Sequence, residues 1–518
     1  MHYGDFVRRH ARRNPAGAAI VDCDGTVTYS ELDARTNRLA KAFSLLGGER
    51  GDRVAFLGDN GRVPCEIMIA ATKAGLIYVP VDFRLSEPEI VAILENCQPA
   101  ICIVGSTHVI LADRVRRLAS YVKAWIGAAG KPGDGWTAYE ELIASGSSVS
   151  FDYAPDDGVF CIIFTSGTTG QAKGVQISHA DTMQNGMALA SAYGVDAGTR
   201  FLMSLPYSAT GVVNHSSGPT LMMGGTVVFD DVRRFDAERY FSTVARHRVT
   251  HSQLVPTMMY RLLDSPVRED FDLSSLGVVG YGSAAIPPVR VRQMLEAFGP
   301  IFVQAYGMTE CCSLATVLTR EDHRVVGTYR EAILASCGRA VPQVEIRVAD
   351  DRDMEVGRGE IGEILIRAPW NTAGYWRDDT RTRELVRNGW LHTGDLGYLD
   401  EQDYLFIVDR KKDMINTGGS KVYSSEVEAA IISHPNVVEV AVIGVPDDEW
   451  GERVHAVIVT KRGMTPTLEE IRSHASEKIS RYKLPKTMQI EINIPKTSTG
   501  KYAKEILRKS VQTPRTIR

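Results

Sequence analysis

Apolar positions recur along the chain in two alternating rhythms. Short runs such as Ala19-Ile20-Val21-Asp22, Val54-Ala55-Phe56-Leu57 and Ile77-Tyr78-Val79-Pro80-Val81 are rich in the β-branched and aromatic residues of buried strands. Gly25-Thr26-Val27-Thr28-Tyr29 reads as a second strand turned back on the first. Between these runs, Leu32, Leu39, Ala42, Phe43 and Leu46 fall at helical spacing, and another helical pattern extends from Ile67 to Ala74. The first helix is predicted to begin at Ser30, whose hydroxyl can accept from a free first-turn amide with Asp33 three residues on, and to stop at Gly47-Gly48. Strand and helix keep alternating without an internal repeat, which predicts an α/β fold of layered, mostly parallel sheet.

With 518 residues and 44% hydrophobic composition, the chain is too long for a single core and apolar enough to build at least two. Its 59 Lys and Arg against 63 Asp and Glu leave a net charge of -4, so nothing global draws it to nucleic acid or to an anionic membrane. No apolar run approaches the roughly 20 residues of a membrane span. The opening residues lack a basic stretch followed by a hydrophobic one, and Arg8, Arg9, Arg12 and Arg13 read as a solvated helix face. Eight cysteines lie mostly inside apolar runs such as Cys161-Ile162-Ile163-Phe164, the pattern of buried reduced thiols in a cytoplasmic protein. Charge is unevenly spread: from Arg453 onward fifteen Lys and Arg face five Asp and Glu, while the remainder carries 44 against 58. That basic end is either an ordinary solvated surface or a lid for a polyanionic ligand. The best candidate domain boundary is the charged run Asp409-Arg410-Lys411-Lys412-Asp413, after the strand pattern Tyr404-Leu405-Phe406-Ile407-Val408.

The densest chemical signal is Phe164-Thr165-Ser166-Gly167-Thr168-Thr169-Gly170-Gln171-Ala172-Lys173-Gly174. Glycines let backbone amides converge on one point, hydroxyls add donors and the lysine adds charge, which together suit a phosphate. A Walker loop would run into a helix, whereas Lys173-Gly174 leads into the strand-like Val175-Gln176-Ile177. An ordinary P-loop NTPase is therefore excluded. A flexible connection remains the plainer reading of such a loop taken alone.

Thr165 to Gly174 resembles the phosphate loop of the adenylate-forming superfamily: acyl-CoA synthetases, peptide-synthetase adenylation domains and firefly-type luciferases. Further signatures follow in that family's order: Gly282-Ser283-Ala284-Ala285, Gln304-Ala305-Tyr306-Gly307-Met308-Thr309-Glu310, Gly389 to Asp395, Asp409-Arg410, Gly418-Gly419 and Thr497-Ser498-Thr499-Gly500-Lys501. They span nearly the whole chain. The resemblance implies a large multi-layer N-terminal α/β domain (1–409), a hinge (410–412) and a small mobile α+β C-terminal domain (413–518), with chemistry at their interface. It implies an AMP-forming acid–thiol ligase that uses ATP, Mg2+ and coenzyme A on a small-molecule carboxylic acid.

Residue by residue, the resemblance places Thr165, Ser166, Gly167, Thr168, Thr169, Gly170 and Lys173 on the phosphates, and Gly282, Ser283, Ala284, Gln304, Ala305, Tyr306, Gly307 and Ile407 around the nucleotide. Tyr306 can stack on adenine, Thr309 can reach the α-phosphate, and the carboxylate of Glu310 suits Mg2+, a hard cation that prefers oxygen. Asp395, expected in a turn, would accept from the ribose hydroxyls with Arg410 in support. Lys412 matches the hinge, Gly418, Gly419 and Trp450 the pantetheine tunnel, and Lys501 the catalytic lysine. A fixed ammonium touching both the acid and the α-phosphate would lower their repulsion and position the attack.

Some positions depart from the family. Where many relatives have Pro-Leu-Phe-His, this chain has Leu205-Pro206-Tyr207-Ser208-Ala209-Thr210-Gly211, and the next histidine is His215. Ala305 replaces a common glycine, and Lys421 an Asn or Gln. Small residues at Ala209, Thr210, Gly211 and Gly282, with Tyr207 nearby, predict a wide pocket for a bulky hydrophobic acid, unless Tyr207 or Met222 refills the volume. Three alternatives share the motifs: transfer to a separate carrier-protein thiol, a non-catalytic acyl-adenylate binder, and a luciferase-like oxygenase. Loss of Lys501, Glu310 or Asp395 would favour the binder, and all three are present.

Overall fold

The structure, a computed structural model, describes residues 2–146, 158–165, 172–208, 213–230, 235–284, 286–496 and 502–512. The chain separates into two compact units, Met1–Ile346 with Ile366–Leu391, and Arg347–Leu365 with His392–Arg518. The boundary expected at 409/410 lies inside the second unit.

The first unit is built on two sheets. One has seven strands, in the order Trp136–Ala138, Ala124–Gly127, Ile101–Val104, Arg53–Leu57, Ile77–Val81, Val159–Thr165 and Lys173–Ser178. Its pairings are parallel until the last, where 159–165 and 173–178 form an antiparallel hairpin with Thr165 opposite Lys173. The other has nine strands, and its centre is the parallel set Phe302–Tyr306, Val278–Gly282, His251–Leu254, Arg200–Met203, Thr226–Phe229 and Ala18–Asp22. Strands 53–57 and 77–81 begin and end within a residue of the apolar runs that predicted them. Strong local pattern and full burial coincide there.

The first long helix, Tyr29–Leu45, begins earlier than predicted. Thr28, not Ser30, is its cap: the Thr28 hydroxyl accepts from the Glu31 amide at 3.2 Å, and the Glu31 carboxylate accepts from the Thr28 amide at 2.8 Å. This reciprocal pair satisfies more donors than Ser30 with Asp33 could, so it fixes the start. One buried ion pair ties this helix to the next. Arg35 donates to both oxygens of Glu66, at 2.6 and 3.1 Å, and Tyr139 donates to Glu66 at 2.8 Å. Burial pushes the Glu66 carboxyl up, while Arg35 and Tyr139 hold it down.

In the second unit, strands Trp390–Leu399 and Leu405–Arg410 run antiparallel with Asp395 opposite Arg410. Asp395 is thus in a strand rather than the expected turn, although Gly394 before it has φ +69. Asp409, in the charged run expected to mark the domain boundary, is buried. Its carboxylate accepts from the backbone and hydroxyl of Ser424, at the start of helix Ser424–Ile432. A charge there is stable because the helix N-terminus supplies unpaired amides. Residues 415–488 then form their own core, including Ile415, Val427, Ile431, Val442, Ala456 and Ile471. None of the eight cysteines forms a disulfide, and all but Cys23 are buried. Among the described residues no helix is long and apolar enough to cross a membrane.

Arg35 provides an internal comparison, since it also meets Glu140, which is 62% exposed against 0% for Glu66. Glu66→Ala is expected to cost about 3–5 kcal/mol in denaturant unfolding, because it removes the buried acceptor shared by Arg35 and Tyr139. Glu140→Ala should stay within about 1 kcal/mol. Equal losses would show that burial does not control this pair.

Candidate active site

Two elements of the first unit bring chemistry together. Lys173 opens the strand after the glycine-rich loop, and Glu310 sits in the single 3-10 turn Thr309–Cys311 beyond the strand Phe302–Tyr306. A third segment, 372–376, connects them. Its backbone lies along the Lys173 strand: Trp376 N–H donates to Gly174 O at 2.7 Å, and Gln176 N–H donates to Gly374 O at 3.1 Å. Its other contacts grip Glu310 at both ends. Thr372 N–H donates to the Glu310 carbonyl at 2.8 Å, and the Tyr375 hydroxyl donates to Glu310 Oε1 at 2.7 Å. The ammonium of Lys173 stands over the Tyr375 ring, 5.0 Å from its centroid. Glu310 and Tyr375 are both buried. Burial, then the Glu310 charge, pushes the Tyr375 phenol well above its ordinary range, so it remains a donor.

The strand ends beside this cluster leave room only for backbone. A Cβ on Gly282 would lie 2.5 Å from the Ala305 carbonyl oxygen, and one on Gly307 would lie 2.5 Å from the Ser313 backbone. Gly282 pairs with Ala305, and Tyr281 with Gln304, so both signatures end at one edge of the parallel sheet. The carboxyl ends of parallel strands are where such sheets bind ligands. Ser283 has φ +68 and is exposed there with Ala284, while Gln304 and Ala305 are buried and Tyr306 is partly exposed.

Tyr207 is buried, its hydroxyl 3.0 Å from both Cys65 Sγ and Ser217 Oγ, and Met222 is buried too. His215 is buried as well: its Nε2 is 2.7 Å from the Ser313 carbonyl and its Nδ1 is 3.3 Å from Gln253 Nε2. A carbonyl only accepts, so Nε2 carries the proton and Nδ1 accepts from the amide. Burial pushes the His215 pKa down to about 4, which keeps the ring neutral.

In the second unit, Arg410 Nε lies 3.4 Å from Asp395 Oδ1. Ile407 on the same strand is exposed, as is Lys412 two residues beyond its end. Gly418 and Gly419 form the turn between strands Ile415–Thr417 and Ser420–Val422, with φ +59 and +79. Trp450 packs over Gly418, whose amide donates to the Trp450 carbonyl at 2.8 Å, and Lys486 covers the indole at 4.0 Å from its centroid. Ser166, Gly167, Thr168, Thr169 and Gly170, the pocket residues Ala209, Thr210 and Gly211, and Lys501 lie outside the described residues.

Among the described residues, no group of three or more His, Cys, Asp and Glu is placed to hold a metal. A single buried carboxylate fits Mg2+, which is commonly held by one or two carboxylates together with substrate phosphates. Residues 7–376 match the family model of the AMP-binding enzymes, and residues 426–501 that of the AMP-binding enzyme C-terminal domain. The chain belongs to the AMP-binding enzyme family. It is 33% identical over 515 residues to an indoleacetate–CoA ligase of Aromatoleum aromaticum, covering 99% of this chain and 98% of that protein. A fatty acid–[acyl-carrier-protein] ligase of Streptomyces coeruleorubidus, ScoC, is 31% identical over 96% of this chain and 94% of its own length. ATP-bound MatB from Rhodopseudomonas palustris superimposes with a TM-score of 0.88 at 28% identity, covering 99% of each chain. These matches establish the adenylate-forming fold, with a larger N-terminal and a smaller C-terminal domain. CoA ligases of this kind use ATP, Mg2+ and coenzyme A.

Sequence reading did not single out Tyr375. Its signal was present as Gly374-Tyr375-Trp376, an aromatic pair after a glycine with φ +139. Only the fold reveals what that pair meets.

In this AMP-binding enzyme the two turn glycines should behave differently. A Cβ on Gly418 would lie 2.5 Å from the Trp450 ring, whereas one on Gly419 meets nothing within 4 Å. Gly419→Ala should cost about 1–2 kcal/mol from positive φ alone. Gly418→Ala should cost distinctly more and shift Trp450 fluorescence. Equal melting shifts with unchanged emission would contradict that packing.

Proposed function

We propose that this AMP-binding enzyme is an acid–CoA ligase that activates a bulky carboxylic acid as acyl-AMP and transfers it to coenzyme A. The observation that carries the proposal is the meeting of Lys173, Glu310 and Tyr375, within a chain that matches the family over residues 7–376 and 426–501. Supporting it, a full-length relative is named as a CoA ligase for indoleacetate, a bicyclic acid.

In this reading Lys173 and the glycine-rich loop bind the leaving phosphates, Thr309 approaches the α-phosphate, and Glu310 holds Mg2+. When bound, the metal supplies positive charge against the phosphates. Tyr306 stacks on adenine between the glycine-lined strand ends, and Asp395 accepts from the ribose hydroxyls with Arg410 beside it. Lys501 is assigned to the acid and the α-phosphate, where its ammonium offsets the repulsion between two anions as the carboxylate oxygen attacks. Gly418, Gly419 and Trp450 are assigned to the thiol, and Lys412 to the pivot that separates the half-reactions. Free, mostly buried cysteines favour a cytoplasmic setting.

A carrier-protein thiol is the second reading, favoured by the similarity to the carrier-protein ligase ScoC. Pyrophosphate release over a panel of acids of increasing bulk, with coenzyme A, with a phosphopantetheinylated carrier protein and with neither, separates the two. Preference for large acids and acceleration by coenzyme A are expected. Preference for acetate, or acceleration by the carrier protein alone, would overturn the corresponding part. Lys501→Ala should lower adenylation by roughly 10²–10³-fold in single-turnover assays while barely changing thioester formation from supplied acyl-adenylate. Equal losses in both halves would refute its role.

A further inference from the structure

We infer that Tyr375 is a positioning residue that sets the metal-binding carboxylate of Glu310 and the ammonium of Lys173 with one side chain; this rests on the proposed function, in which both groups serve Mg·ATP. Its hydroxyl donates to Glu310 Oε1 at 2.7 Å, and its ring face lies under Lys173 Nζ at 5.0 Å. The two contacts use different parts of the residue, so they can be removed separately.

The backbone around Tyr375 leaves it little freedom. Its amide donates to Thr382 Oγ1 at 2.9 Å, and the chain around it is bonded to the Lys173 strand on both sides, through Gly374 O and Trp376 N–H. Gly374 has φ +139, and a Cβ there would lie 2.3 Å from Thr382 Cγ2, so the turn that presents Tyr375 admits no larger residue. Tyr375 is 5% exposed, so water competes little for either contact. A phenol bound to one carboxylate oxygen fixes the rotation of that carboxylate, and the face of a ring draws an ammonium toward its negative quadrupole. One side chain thereby touches both a cation and an anion that the proposed ligand needs. Among the described residues Lys173 forms no ion pair.

Calorimetric titration of the full chain with Mg·ATP, and with ATP in EDTA, tests this without any acid or turnover. Tyr375→Phe keeps the ring and removes the hydroxyl, so the Kd for Mg·ATP should rise roughly ten- to a hundredfold, the usual consequence of losing a partner of a metal ligand, while metal-free ATP binding changes less than about twofold. Tyr375→Leu should weaken metal-free ATP as well, because Lys173 loses its support. A Tyr375→Phe variant that binds Mg·ATP like the unmodified chain, or that loses both forms equally, overturns the inference. A second comparison separates a specific coupling from a general loss of structure. Adding Tyr375→Phe to Glu310→Gln should cause much less further loss of Mg·ATP affinity than it causes alone, and additive losses would overturn the coupling. Mg·ATP binding that depends on Tyr375 in a chain no acid stimulates would instead refute the ligase reading and leave Tyr375 in place. Absence of Mg·ATP binding by the unmodified chain would overturn both.

Discussion

The candidate site depends on a short backbone contact between residues 174–176 and 374–376. Those few hydrogen bonds, between Gly174 and Trp376 and between Gln176 and Gly374, fasten a late segment of the chain to the strand that follows the glycine-rich loop. Without them Lys173 and Glu310 would belong to unrelated elements. With them, Thr372 grips the Glu310 backbone and Tyr375 grips its carboxylate, so a cluster of opposite charges is held before any ligand arrives. Preorganisation of this kind removes the ordering cost from the moment of reaction.

The chemistry sets a matching constraint. A carboxylate attacking a phosphate is an encounter between anions, and it proceeds only where fixed positive charge faces the developing transition state.

Much of the fold was legible because burial and local pattern agree. The strands at 53–57 and 77–81 and the two strands flanking the glycine-rich loop follow from apolar runs, whereas the antiparallel pairing of the latter two is a tertiary result. Boundaries were less secure: Thr28 displaced Ser30 as a cap because Glu31 could reciprocate its bond. Asp409 stood in the charged run read as the domain boundary, yet it is buried and its carboxylate accepts from the amide and hydroxyl of Ser424. Asp395 read as a turn because it follows a glycine, but pairing with Arg410 keeps it in a strand. Tyr375 escaped notice because its partners are distant in sequence, and no periodicity reports a contact between residues 173, 310 and 375. Its part of the site is tertiary.

Oxygen tracing tests the central step most directly. An acid that supports turnover, labelled with 18O at both carboxyl oxygens, is incubated with unlabelled ATP and coenzyme A, and the phosphorus products are analysed by mass spectrometry. Attack of the carboxylate on the α-phosphate places one 18O in AMP and none in pyrophosphate. Label in inorganic phosphate alongside ADP, or AMP formed without label, would contradict acid adenylation by this chain.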